Sequence, residues 1–239
     1  MDTIKLIGEK PKMIAHRGVS GLECENTAAA FVAAGNRSYY GIETDMHMTR
    51  DGHFVVCHDS DLFRVSGVHA IIEEMTLEEL QRIPLKNPRN GESRGDYFVP
   101  TLEDYIGICK KYEKEAILEI KGEFGLPATE KYLRIIHDLG YIEHTTFISF
   151  FPTSLASIRL LLPSAKIQFL AEESSDEVLA LLDTCHYDLD IRGDRITPEF
   201  LMKVKEHGHL VNIWTVDRPE DGALCQKMKV DFITTNILE

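Results

Sequence analysis

Long apolar runs are missing from this chain of 239 residues. No stretch approaches the roughly 20 apolar residues of a membrane-spanning helix, so none is expected. The opening MDTIKLIGEKPK has no apolar core and no small-residue cleavage pattern, so no export signal is read there. Cysteine is sparse. Cys24, Cys57, Cys109, Cys185 and Cys225 are odd in number, scattered and free of any C-x-x-C. That argues against a disulfide framework and points to reduced, mostly buried thiols in a cytoplasmic protein. Basic residues are also short, 26 against 39 acidic, for a net charge of −13. A nucleic-acid partner would want a basic face and an anionic bilayer a basic patch, so neither nucleic acid nor stable membrane association is expected. What is present, 44% hydrophobic and 27% charged residues, is an ordinary soluble composition long enough for one domain over residues 1–239.

One stretch organises the rest: Gly41 to Asp59, GIETDMHMTRDGHFVVCHD. Polarity alternates over residues 42–46, which puts Glu43 and Asp45 on one face of a strand. Asp51-Gly52 marks a turn, and the short strand 53–57 runs out into His58-Asp59. Around it the chain alternates. Extended runs are expected at 12–15, 41–46, 116–120, 146–149, 166–170, 187–191, 209–215 and 231–234. Helical segments are expected at 27–36, 101–114, 127–139, 152–162, 175–184, 197–207 and 219–228. Residues 60–99 break the rhythm with a short helix over 76–82, opened by Thr76 and Glu79, and a polar loop over 84–97. They read as an insertion too short and polar to bury a core of its own. Strict strand–helix alternation implies parallel pairing with helices outside, and eight repeats suggest an α/β (β/α)8 barrel with this insertion after its second strand. A doubly wound open sheet is the rival, but no G-x-G-x-x-G follows the first strand.

In such a barrel the chemistry lies at the C-terminal ends of the strands. The polar residues found there are His16 and Arg17, Glu43 and Asp45, His58, Glu119 and Lys121, Ser149 and Trp214. A single strand-end histidine is usually structural, and an isolated Glu-Ile-Lys is usually a surface ion pair worth little. Their joint occurrence is harder to dismiss. Glu43, Asp45 and Glu119 suit one Mg²⁺ or Ca²⁺ ion, whereas zinc would favour cysteine or several histidines. Arg17 and Lys121 suit phosphate oxygens. His16 and His58 suit general acid and base work near neutral pH. Phe150 and Trp214 are candidate pocket walls, and Glu172 and Glu173 weaker pocket candidates.

His-Arg-Gly at 16–18, Glu-Asn-Thr at 25–27, Glu-Thr-Asp at 43–45, Thr-Arg-Asp-Gly at 49–52 and His-Asp at 58–59 run in order along the chain. Pro-Thr-Leu at 100–102, Glu-Ile-Lys at 119–121, Ser-Phe at 149–150, Trp-Thr-Val at 214–216 and Ile-Thr-Thr-Asn at 233–236 follow. Together they resemble the glycerophosphodiester phosphodiesterase family. The resemblance implies a (β/α)8 barrel that hydrolyses glycerophosphodiesters to glycerol 3-phosphate and an alcohol with a divalent metal. It implies His16 and His58 as the acid/base pair, Glu43, Asp45 and Glu119 as metal ligands, and Arg17 and Lys121 on the phosphate. The chain departs from the family pattern at Cys24 (usually Pro), around Arg64 (Phe63, Val65, Ser66) and at Asn236 (usually Asp). Two other readings stand beside it: a phospholipase-type phosphodiesterase acting on lipid headgroups, and a non-catalytic barrel that binds a phosphorylated ligand. The residues leave headgroup preference and oligomeric state open.

Overall fold

The computed structural model describes residues 2–87 and 89–239. Met1, and Pro88 within the expected loop 84–97, lie outside the described residues. Eight strands form a closed parallel barrel: β1 (Lys12–Ala15), β2 (Gly41–Met48), β4 (Glu115–Ile120), β5 (Thr145–Ser149), β6 (Lys166–Ala171), β7 (Asp188–Arg192), β8 (Val211–Trp214) and β9 (Phe232–Thr235). They run in the order β1-β9-β8-β7-β6-β5-β4-β2, and pairing of β1 with β2 closes the ring. A short β3 (Phe54–Val56) lies antiparallel on the outgoing half of β2, with Met48 opposite Phe54. That pairing carries β2 two residues beyond the expected end at Met46. Strand β8 is shorter than the expected 209–215, because Asp188 Oδ1 takes the Leu210 N–H at 2.8 Å and Asp183 holds His209.

Nine α-helices connect the strands among the described residues: α1 (Ala28–Gly35), α2 (Phe63–Ser66), α3 (Leu77–Leu80), α4 (Leu102–Lys111), α5 (Leu126–Asp138), α6 (Pro152–Leu161), α7 (Asp176–Cys185), α8 (Pro198–Glu206) and α9 (Pro219–Met228). Helix α4 shows why they form. Thr101 caps its first turn and Asp104 returns the bond to the Thr101 N–H, so two orphan donors are satisfied reciprocally. Leu102, Tyr105, Ile106 and Cys109 recur at helical spacing and are buried, and Lys110 and Lys111 face the negative helix end. Thr76 and Glu79 form the same box at α3.

The main core lies between the helices and the outer faces of the strands. A second cluster fills the barrel with Ile14, Ile117, Ile148, Leu170 and Phe232. Those apolar layers plug the ring and force the polar residues of the same strand faces up to its mouth. A third cluster joins residues 60–99 to the barrel wall. Leu62, Val65, Ala70, Ile72, Leu80, Leu85, Tyr97 and Val99 bury one another against Cys24, Val55 and Cys57. The segment borrows its apolar floor from the barrel, which is why its own composition understates its order. It also contains α2, a single turn ended by Gly67 in the left-handed region (φ 80°).

Candidate active site

The register of β2 and β4 assembles the acidic centre. Glu43 and Asp45 share the inner face of β2, and Asp45 pairs directly with Glu119 on β4. One carboxylate oxygen from each of the three lies within 4.8 Å of the others, and all three residues are buried. Burial and the Asp45 charge push Glu43 well above the ordinary carboxylate range and Glu119 up to about 8. Burial alone would raise Asp45 as well. The charges of Arg17 and Lys121, with the Asn26 amide at 2.8 Å, overcome it and hold Asp45 well below that range. Three buried carboxylates of which two favour protonation form a donor set short of positive charge. Hard, all-oxygen and converging, it fits a divalent cation such as Mg²⁺ or Ca²⁺.

The cations come from both flanks. Arg17 sits in the left-handed region (φ 55°), which turns its N–H onto Glu43 Oε2 at 2.8 Å. Its guanidinium reaches Glu25 at 2.8 Å and lies 3.5 Å from Asp45. Gly18 follows at φ 76°, where a Cβ would meet the Ala30 carbonyl carbon at 2.6 Å, so this tight entry onto α1 excludes any side chain. Lys121 Nζ stands 3.0 Å from Glu119 and 3.4 Å from Asp45. Both cations therefore rest on the carboxylates, within the same cavity as the histidines.

The two imidazoles have different partners. His16 Nδ1 is 2.9 Å from Asn236 Oδ1, and the Asn236 amide in turn donates to Asp217 at 2.6 Å. Its Nε2 looks toward Glu43 at 3.9 Å. Burial, reinforced by Arg17, pushes His16 down to about 4. His58 Nδ1 sits 2.6 Å from Asp59, a carboxylate that Arg64 holds through Nε at 2.6 Å. Arg64 also grips both oxygens of Glu25 at 2.8 Å, and Glu25 reaches Arg17. One continuous chain of charge thus runs from the insertion, through Arg64, to both His58 and Arg17. Burial lowers His58 too, against the opposing pull of Asp45.

A cavity of about 80 Å³ joins these groups at the C-terminal mouth of the barrel. His16, Arg17, Glu43, His58, Glu119 and Lys121 line it, as do Phe150 and Trp214. Asp45 belongs to the carboxylate cluster behind them. Ser149 does not join the mouth: its hydroxyl donates to the Ile120 carbonyl at 2.8 Å, a purely structural link. Glu172 and Glu173 line a separate open hollow that shares Phe150 with the cavity. His47 pins residues 72–74 through Glu73 at 2.8 Å. Sequence reasoning gave no role to Asn26, Asp59, Arg64 or Asp217, and missed Asp190, which lines the cavity from β7. A signal for Asp190 was there. Asp188 and Asp190 alternate with Leu189 and Ile191 as Glu43 and Asp45 alternate with their neighbours.

A parallel barrel carrying carboxylates, cations and imidazoles at its C-terminal mouth defines a class of phosphate-directed hydrolases. The family model of the glycerophosphoryl diester phosphodiesterase family matches residues 16–239. The chain belongs to that family, and it is a phosphodiester hydrolase. A glycerophosphodiester phosphodiesterase of Caldanaerobacter subterraneus subsp. tengcongensis is 31% identical over 236 residues, 95% of this chain and 94% of its own length. A crystal structure of a glycerophosphodiester phosphodiesterase from Parabacteroides distasonis superposes with a TM-score of 0.79 at 28% identity, covering 99% of this chain and 94% of that one. An Oleispira antarctica phosphodiesterase, solved with its product sn-glycerol-3-phosphate, shares the fold with a TM-score of 0.83 at 22% identity, covering 95% and 93%.

Proposed function

We propose that the chain hydrolyses small, water-soluble glycerophosphodiesters to sn-glycerol 3-phosphate and an alcohol, using one divalent ion, Mg²⁺ or Ca²⁺, held by Glu43, Asp45 and Glu119. The observation that carries this reading is the convergence of three buried carboxylates, two cations and two imidazoles on one cavity. The ion, when bound, supplies Lewis acidity at a phosphoryl oxygen. Arg17 and Lys121 then leave the carboxylates for phosphate oxygens and stabilise the charge that builds there in the transition state. His16, neutral and facing an amide oxygen at Nδ1, takes a proton from the attacking water, whose oxygen ends on the phosphate. His58, whose Nδ1 faces the Asp59 carboxylate that opposes the effect of burial, acts in its protonated form and hands its proton to the departing alkoxide. Asp59 and Arg64 fix the orientation of His58, and Asn236 fixes that of His16. In this reading residues 1–239 are one barrel domain with 60–99 as an insertion. The five unpaired thiols suit a cytoplasmic site of action. No helix among the described residues is long and apolar enough to cross a membrane.

Release of glycerol 3-phosphate from glycerophosphocholine and glycerophosphoethanolamine, with Mg²⁺, Ca²⁺ or EDTA, tests the chemistry. Folded protein that releases none with either metal refutes it. One observation favours a second reading on lipid headgroups. A groove of about 670 Å³ beside the site shares Trp214 and is lined by Ile196, Ile213, Val216, Leu224 and Met228. Faster turnover of phospholipid in liposomes than of the soluble diesters would favour that reading.

A further inference from the structure

The cavity has two unlike sides, and the strand order separates them. The charged groups come from β1, β2 and β4 and from His58 beyond β3, which are neighbours in the ring. The facing arc, β5 to β9, presents Ile148, Phe150, Leu170 and Trp214, with only Asp190 and Thr234 as polar side chains. Asp190 on β7 stands diametrically across the ring from β2, so it meets whatever extends beyond a phosphate seated at Glu43 and Asp45.

Asp190 is 2% exposed, and its Oδ1 is buried without a hydrogen-bond partner. Of the polar residues around it, the Asn212 side chain bears on the Asp190 carboxyl, but its amide is shared with Thr234 and Gln168. The Asn212 amide donates to Thr234 at 3.0 Å and to Gln168 at 3.4 Å, and Thr234 donates back to Asn212 at 3.2 Å. Trp214 Nε1 is the second buried orphan on this arc. Its indole packs edge-on against Phe150, with ring centroids 5.9 Å apart. Buried polar groups are ordinarily satisfied, so an acceptor left open on the cavity, beside an open donor on a residue that lines both the cavity and the adjoining groove, points to a ligand. An indole N–H only donates. A substrate ammonium has no acceptor to offer it, whereas an alcohol hydroxyl accepts and donates at once. Burial pushes Asp190 up to about 8, so near neutral pH it is largely an uncharged carboxyl, suited to a neutral hydroxyl.

We infer that Asp190, together with Trp214 Nε1, selects the hydroxyl-bearing glyceryl arm of the diester, while Phe150 and the Trp214 ring cover its C–H faces. This rests on the diesterase reading, and it makes Asp190 a specificity residue.

The test compares wild type, Asp190→Asn and Asp190→Leu on glycerophosphoethanolamine and on propyl phosphoethanolamine, which lacks the hydroxyls. Wild type favours the glyceryl diester in kcat/KM by roughly a hundredfold or more, because a site built to hydrogen-bond a hydroxyl rejects the analogue without it. Asp190→Leu shrinks that ratio to within about threefold, chiefly through KM, and Asp190→Asn, which still accepts and donates, keeps a good part of it. A ratio unchanged in a folded Asp190→Leu overturns the inference. Calorimetric binding of sn-glycerol 3-phosphate and of propyl phosphate decides the point without turnover. A wild-type preference for the former that Asp190→Leu loses supports the inference, and equal affinities in wild type overturn it. Failure of wild type to hydrolyse either diester would sink the diesterase reading alone, and the binding comparison would still judge Asp190.

Discussion

Lowering the pH should loosen the divalent ion before it damages the fold. Glu119, pushed up to about 8 by burial and the Asp45 charge, holds a proton in the metal-free protein at neutral pH, and Glu43 is raised by the same causes. A cation must displace those protons, so apparent affinity falls about tenfold per pH unit for each one released. Between about pH 8 and pH 6 the loss is then on the order of a hundredfold for Glu119 alone, and more if Glu43 also releases its proton. Stability carries the matching sign. A carboxyl moved from 4.5 to about 8 in the folded state contributes stability that is present below 4.5 and is lost as pH rises through 8, on the order of 3–5 kcal/mol in total. The metal-free protein therefore weakens toward pH 8, where the ion restores most. Thermal melts with and without Mg²⁺ or Ca²⁺, and calorimetry in two buffers of different ionisation enthalpy to count released protons, measure both effects. A metal-induced rise in Tm that does not change between about pH 6 and pH 8, with no proton release, would refute the reasoning.

Removing either imidazole, as His16→Ala or His58→Ala, should cost about 10²–10⁴-fold in kcat with the fold intact. A p-nitrophenyl diester, whose leaving group departs without a proton, should rescue His58→Ala and not His16→Ala; the opposite pattern exchanges their roles. Asn236→Asp puts a carboxylate beside His16 Nδ1 and should lift that imidazole from about 4, moving the acid limb of the kcat/KM profile to higher pH. An unmoved limb in the profile would mean that His16 is not the titrating base. Leu80→Ala, in the insertion's own cluster, should destabilise by about 2–5 kcal/mol in urea unfolding, and a loss under about 1 kcal/mol would mean that the cluster is not cooperative with the barrel.

Much of the candidate site's geometry was legible because strand periodicity is short and rigid. Alternation put Glu43 and Asp45 on one face, and strand ends placed His16, Glu119 and Lys121 with them. The positioning residues were harder to read. Asn26 reaches Asp45 across 19 residues and Asn236 reaches His16 across 220, distances at which no local pattern speaks. Asp190 was passed over because a charged residue in a weak strand looks solvated until the ring closes over it. Residues 60–99 looked coreless because three of the residues that complete their cluster, Cys24, Val55 and Cys57, lie elsewhere in the chain.

The sequence by itself determined the element order, the parallel alternation and the chemical inventory of carboxylates, cations and imidazoles. Helix periods, caps and strand alternation are local, and they survive without neighbours. Tertiary structure alone decided three things. It set Asp45 beside Glu119 through the β2–β4 register, and it gave the two histidines unlike partners in Asn236 and Asp59. It also left Asp190 Oδ1 unpartnered on the wall facing the acidic centre. Each depends on ring closure, which fixes distances between residues that the chain keeps far apart.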